Sequence, residues 1–262
     1  MRLRALFVLC CGTALQAASI PAAGYLDQVV LCDTNNTHCA MLASVNTSSQ
    51  TYSNTFQVAG NAFNVSANDQ LAPGVLHSYT HFDTPVAQTF YTQFQIVDQV
   101  YEDFTFGGGT PGSLGYVSPS FTITGVSTAN ANAALSMFYA DSTDGVIHTL
   151  AAQYTAGNAS MTFGPIPYHN GAPIMIAFAY ATIVYPSGTL SGTADFSHTV
   201  VLTGLSTYAD LAETTKLSNT TIGASSGATY SANGIVPEPG TFATMGAGLL
   251  AAVLLRRKFL AR

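Results

Sequence analysis

The sequence predicts an all-β fold: a single antiparallel β-sandwich, jelly-roll-like, between an N-terminal signal-peptide helix and a C-terminal transmembrane helix. Two observations carry the sandwich. Short segments rich in Val, Ile, Thr, Tyr and Phe recur along the chain between Gly/Pro/Asn/Asp clusters. Outside the two termini no helical period lasts for twelve residues. A third observation sets the ends apart, since both are apolar runs with basic residues beside them.

The N-terminus pairs Arg2 and Arg4 with an apolar run from Ala5 to Leu15, then small residues to Ala23. That is the layout of a secretory signal peptide, assigned to residues 1–24, with cleavage after Ser19 or after Gly24 both fitting. Cys10 and Cys11 leave with it. Cys32 and Cys39 then bracket a polar six-residue loop between Val29-Val-Leu31 and Ala40-Met-Leu42. Two apolar strands joined this way put the cysteines opposite each other, and an oxidising compartment favours a disulfide.

The passenger domain spans 25–208. Strand-like segments run over Val75–Phe82, Thr89–Val100, Tyr116–Val126, Ala133–Ala140, Val146–Tyr154, Ile174–Tyr185 and Ala194–Leu205. In the second of these Phe90, Phe94 and Ile96 fall on one face, with Tyr91, Gln93 and Gln95 on the other. Turns are expected at Asn68-Asp-Gln70, Ala72-Pro-Gly74, Gly107–Gly112, Ser142–Gly145, Gly164–Pro167, His169–Pro173 and Pro186-Ser-Gly188. No internal repeat is visible, which argues against a solenoid or propeller. A final strand and Ser/Gly-rich linker occupy 209–235.

The last 27 residues, 236–262, combine Pro237-Glu238-Pro239, an apolar run over Phe242–Leu255 and the basic cluster Arg256-Arg257-Lys258. The prolines stop any regular element. The fourteen-residue run reaches about 21 Å as a helix, short of a ~30 Å hydrocarbon core, so Gly240, Thr241 and snorkelling cations must extend it. Positive charge after the run puts that end in the cytoplasm.

This tail resembles the PEP-CTERM sorting signal of Gram-negative bacteria. The resemblance implies an exported protein, held transiently in the inner membrane with its domain periplasmic, then processed near the triplet by an exosortase and moved to the surface or medium. Thr193–Asp210, beginning Thr-Ala-Asp-Phe-Ser, and Ser225-Ser-Gly-Ala-Thr-Tyr230 are similar to the last strands of PEP-CTERM passenger domains. That likeness implies a β-sandwich of unassigned activity linked to exopolysaccharide.

Without the two end segments, Lys216 is the only Lys or Arg left against twelve acids, so residues 25–236 carry about −11. Such a surface repels phosphate backbones and excludes nucleic acid as a partner. Gly107-Gly-Gly-Thr-Pro-Gly112 satisfies a dinucleotide-loop pattern without the helix it needs. Gly223–Gly227 satisfies a nucleophile-elbow pattern only through its Gly/Ser composition. His77 and His81 stand ~13 Å apart along a strand, so they form no metalloprotease pair. Asp141-Ser-Thr-Asp-Gly145 offers Ca²⁺ oxygens but lacks the EF-hand ligand order and reads as a turn; no metal or cofactor is expected.

Asp98, Glu102 and Asp103 cluster beside Tyr101, Phe104 and Phe106, and paired acids beside aromatics suit glycoside hydrolysis. Two functions follow. The first is a non-catalytic surface or matrix protein with weak glycan or Ca²⁺ contacts. The alternative is a secreted polysaccharide hydrolase using those carboxylates. The absence of tryptophan, the best sugar platform, weighs against the hydrolase and against a strong carbohydrate-binding module.

Overall fold

The computed structural model describes residues 23–33, 39–141, 146–231 and 234–235. The signal-peptide core, the Ser142–Gly145 turn, the sorting triplet, the transmembrane run and the basic cluster lie outside the described residues. Fourteen strands build the body: β1 (Ala23–Asp33), β2 (Cys39–Val45), β3 (Thr51–Val58), β4 (Asn61–Ala72), β5 (Val75–Asp83), β6 (Tyr91–Gly107) and β7 (Leu114–Ser127), then β8 (Ala131–Asp141), β9 (Ile147–Thr155), β10 (Ala159–Thr162), β11 (Ile166–His169), β12 (Pro173–Val184), β13 (Ser191–Tyr208) and β14 (Thr221–Ala224). A short hairpin, β15 (Tyr230–Ser231) with β16 (Gly234–Ile235), follows.

The expected sandwich is present. The first sheet has the order β2-β1-β6-β12-β8-β9 with β14 also on β6; the second has β10-β7-β13-β5-β4-β3 with β11 also on β7. All strand pairs within these sheets are antiparallel. Between the sheets, inner-face aromatics interlock: Phe121 of β7 meets Phe178 of β12 edge-on at 5.1 Å, and Phe106 meets Tyr168 at 4.4 Å. Gly125 of β7 is required by this packing, because a Cβ there would lie 2.2 Å from the Phe196 ring. The Cys32–Cys39 disulfide is formed, across the pair that ends the β1–β2 hairpin.

Three local expectations change. The turn at Asn68-Asp-Gln70 is instead the middle of β4, because alternation continues through it: Phe63, Val65, Ala67, Asp69 and Leu71 all face inward. Phe90 does not share a face with Phe94 and Ile96. It precedes β6 and is 58% exposed, while Gln88 bonds the backbone of Tyr91 and turns the Tyr91 ring onto Phe63 at 5.2 Å. Gln93 and Gln95 do lie on the outer face but are buried there, Gln93 donating to Gln95 at 3.1 Å, because β6 is central in its sheet and flanked by β1 and β12. The segment read as strand and linker adds β14 to the first sheet and returns Tyr230 to the core, 5% exposed.

Candidate functional site

Each Asp of the main candidate occupies an apolar slot of an alternating strand. On β1 the inner face runs Asp27, Val29, Leu31; on β6 it runs Phe94, Ile96, Asp98, Val100; on β4 it runs Val65, Ala67, Asp69, Leu71. Register then assembles them. Asp27 pairs with Asp98, and Asp98 pairs on its other side with Tyr180 of β12. In the facing sheet Asp69 pairs with Ser78 of β5, and Ser78 with Phe196 of β13. The two rows meet, and one carboxylate oxygen from each of Asp27, Asp69 and Asp98 lies within 4.8 Å of the others.

The trio is sealed: Asp27 and Asp98 are 0% exposed and Asp69 is 8%. Asp69 Oδ1 accepts the Gln50 amide at 2.7 Å. Among the described residues the other five carboxylate oxygens make no hydrogen bond of standard geometry, although Asp98 lies against the Ser78 hydroxyl and the Asp69 carboxyl, and the Tyr180 hydroxyl has no partner. Burial pushes the Asp27 carboxyl up to about 8, with the Asp69 charge adding to it. Asp69 rises to about 6 through burial, against the Gln50 amide and the Asp98 carboxyl, which lower it. Asp98 is held well above the usual carboxylate range by burial first and the Asp69 charge next. Tyr180 is raised by burial and then by the charge of Asp98. Lys216, the only Lys or Arg among the described residues, is in the exposed loop after β13 and offsets none of this.

The acids singled out in the sequence are not brought together. Asp98 belongs to the trio. Glu102 shares its inward face with Val100 between, so the two Cα atoms stand ~13 Å apart along β6. Both Glu102 oxygens are engaged: Oε1 accepts the Ser226 amide at 2.7 Å and Oε2 the Tyr230 hydroxyl at 2.8 Å. Asp103 points to the opposite face of the sheet, where its strand neighbour is Met175. One open groove with two facing carboxyls, which glycoside hydrolysis needs, is therefore not formed by Asp98, Glu102 and Asp103. Asp27 and Asp69 were missed, although an acid in the apolar phase of a strand was a readable signal.

The outer faces differ. On the first sheet, Val97, Ala134, Ala179, Ala181 and Ile183 floor a shallow apolar groove. On the second, polar groups, with one acid among them, form aligned rows. Ser53, Ser66, His81 and Thr193 make one; Thr55, Asn64, Asp83 and Ser191 make the next. Asn64 donates to Asp83 at 3.0 Å, His81 bonds Thr193 at 2.9 Å, and the Tyr79 and His81 rings stack at 6.4 Å.

Residues 236–258 match the family model of the PEP-CTERM protein-sorting motif. The chain carries a PEP-CTERM sorting signal. It marks an exported protein, routed through a membrane-anchored C-terminal tail that exosortase processes. No family is assigned to the rest of this PEP-CTERM chain. No curated protein matches it. Among solved structures, the enzymatically active domain of Bacteriophage CBA120 tailspike protein 4 aligns at 10% identity and a TM-score of 0.19, over 59% of this chain and 19% of that one.

Proposed function

We propose that this PEP-CTERM protein is a non-catalytic component of the cell surface or extracellular matrix that contacts polysaccharide through the outer face of its second sheet. The observation that carries the reading is the set of polar rows from Ser53 to Thr193 and from Thr55 to Ser191, made of hydroxyls, the Asn64 amide, His81 and Asp83, beside the Tyr79–His81 stack. Sugar hydroxyls exchange hydrogen bonds with such groups, and an aromatic ring offers its face to a pyranose. The separation of Asp98, Glu102 and Asp103 supports a binding role over a hydrolytic one. In this reading the sandwich is periplasmic while the Phe242–Leu255 helix is in the inner membrane, and cleavage near Pro237-Glu238-Pro239 releases it.

Two measurements test this. Full-length protein from its host should co-sediment with the host's extracellular polysaccharide, and Tyr79→Ala combined with Asn64→Ala should reduce the bound fraction several-fold. Equal sedimentation of the variant removes this face from the reading, while reducing-sugar release from the polysaccharide restores the hydrolase. For sorting, Pro237-Glu238-Pro239 replaced by three alanines should leave the protein in the inner membrane of an exosortase-containing host. Normal release of that variant refutes processing at the triplet.

A further inference from the structure

We propose that Asp27, Asp69 and Asp98 together hold one Ca²⁺ ion between the two sheets. The span of the trio fits that ion. Oxygens bound to a common Ca²⁺ at about 2.3–2.6 Å can stand at most about 5 Å apart, and the three carboxylate oxygens lie within 4.8 Å of one another. Mg²⁺, which keeps several of its waters and demands near-octahedral geometry, suits this sealed, water-poor position less well. Zinc is disfavoured because no His or Cys among the described residues joins the group.

The second observation is independent of the acids' proximity. Tyr180 is 0% exposed, stands beside Asp98 on the same inner face, and its hydroxyl has no partner. A buried hydroxyl aligned with an acid row and bonded to nothing is an oxygen donor without an acceptor or ion to face. The Ser78 hydroxyl, which bonds Thr182 Oγ1 at 2.9 Å, stands on the opposite row beside Asp69. The three mutually close carboxylate oxygens are the charged ligands, the Tyr180 and Ser78 hydroxyls stand in register beside Asp98 and Asp69, and water would complete a six- to eight-coordinate shell. The divalent charge offsets two of the three carboxylates, and the Gln50 amide already faces the third, Asp69. With both sheets contributing ligands, the ion binds as the sandwich closes, so its affinity appears as stability.

The competing arrangement is a cluster of carboxyl groups sharing protons, and the experiment separates the two. Full-length protein is stripped with EGTA, passed through a metal-free column, and melted by circular dichroism at pH 7.5 in 0–10 mM CaCl₂ or MgCl₂ at constant ionic strength. Elemental analysis after Ca²⁺ loading and gel filtration should find one calcium per chain. For the affinity of an extracellular module, with Kd about 0.1–1 mM, 10 mM Ca²⁺ should raise Tm by about 3–10 °C and Mg²⁺ by much less. Asp98→Asn, which removes a buried charge and so should fold without the ion, should lose both the calcium and the shift; Asp83→Asn, at an exposed acid, should keep both. At pH 5 the wild-type shift should shrink, because protons compete for the same oxygens. No bound calcium in the wild type, with Tm flat in Ca²⁺, overturns the proposal even if Asp98→Asn does not fold. An equal Ca²⁺ shift in wild type and Asp98→Asn overturns it as well, placing the ion elsewhere.

Discussion

Tyr230→Phe isolates one atom of the contact that fastens the C-terminal segment to the sandwich. The ring stays, packed edge-on against Phe104 at 5.1 Å, so little apolar area changes. What goes is the hydroxyl that donates to Glu102 Oε2 at 2.8 Å. Glu102 is 1% exposed and its other oxygen is held by the Ser226 amide at 2.7 Å, so the lost donor leaves a buried acceptor behind. A hydrogen bond to a charged group contributes about 1.5–3 kcal/mol, and leaving its buried partner unsatisfied keeps the cost at that level. For a domain of this size the loss corresponds to a fall of about 3–10 °C in Tm. Chemical denaturation of full-length Tyr230→Phe, Glu102→Gln and the double variant reads the coupling directly. A coupling above about 1 kcal/mol is expected. A fall below about 1 °C for Tyr230→Phe, or strict additivity in the cycle, refutes the view that this pair anchors the segment.

Three further outcomes are expected. Replacing Cys32 and Cys39 by serine opens a loop of eight residues and should cost about 2–3 kcal/mol by chain entropy, read as a lower denaturation midpoint; an unchanged midpoint contradicts this. Phe121→Ala empties a fully buried site between the sheets and should cost about 3–5 kcal/mol, whereas Phe90→Ala, 58% exposed, should stay within about 0.5 kcal/mol. In EGTA, stability should fall as pH rises from about 4 towards 8. Asp27 and Asp69 have folded pKa values of about 8 and about 6 against 3.8, so the folded state holds more protons and its advantage is lost as pH climbs through those values. The groups facing these acids are Asp98, Ser78 and Tyr180, none cationic, so no ion pair reverses the sign. A melting temperature that rises over this window rules out buried protonated acids.

The strands that were legible are those whose two faces differ in kind. Leu76, Phe82 and their polar neighbours mark β5, and Ile174 to Val184 mark β12 as an apolar run long enough to be central. The hairpin at Cys32 and Cys39 was legible because spacing and redox compartment act locally. β4 was obscured because its outer face, Asn64, Ser66, Asn68 and Gln70, consists of residues that also build turns, so composition outweighed an intact period of two. The acid trio depends on positions 27, 69 and 98 coming from three strands in two sheets, and no local pattern encodes that register. Sequence proximity pointed instead to Asp98, Glu102 and Asp103, where strand geometry does the opposite of gathering: neighbours 102 and 103 face apart, and 98 and 102 are too distant along the strand.

Strand β1 explains why an exported chain would tolerate acids in its core. It is the first described strand, and it pairs with both β2 and β6. Two groups bear on it: the disulfide near its end and Asp27 in its middle. Three buried carboxylates without counter-charge oppose closure of the two sheets, and two free thiols leave the β2 edge unlinked. Both conditions change in the same direction on export. An oxidising compartment joins Cys32 to Cys39, and the proposed Ca²⁺ site draws on the higher free calcium outside the cytoplasm. On the Ca²⁺ proposal, a chain lacking both the ion and the disulfide is easier to unfold for transport than one that holds them. That proposal links the last step of folding to the ion and gives the Tyr180 hydroxyl, which has no partner among the described side chains, a group to face.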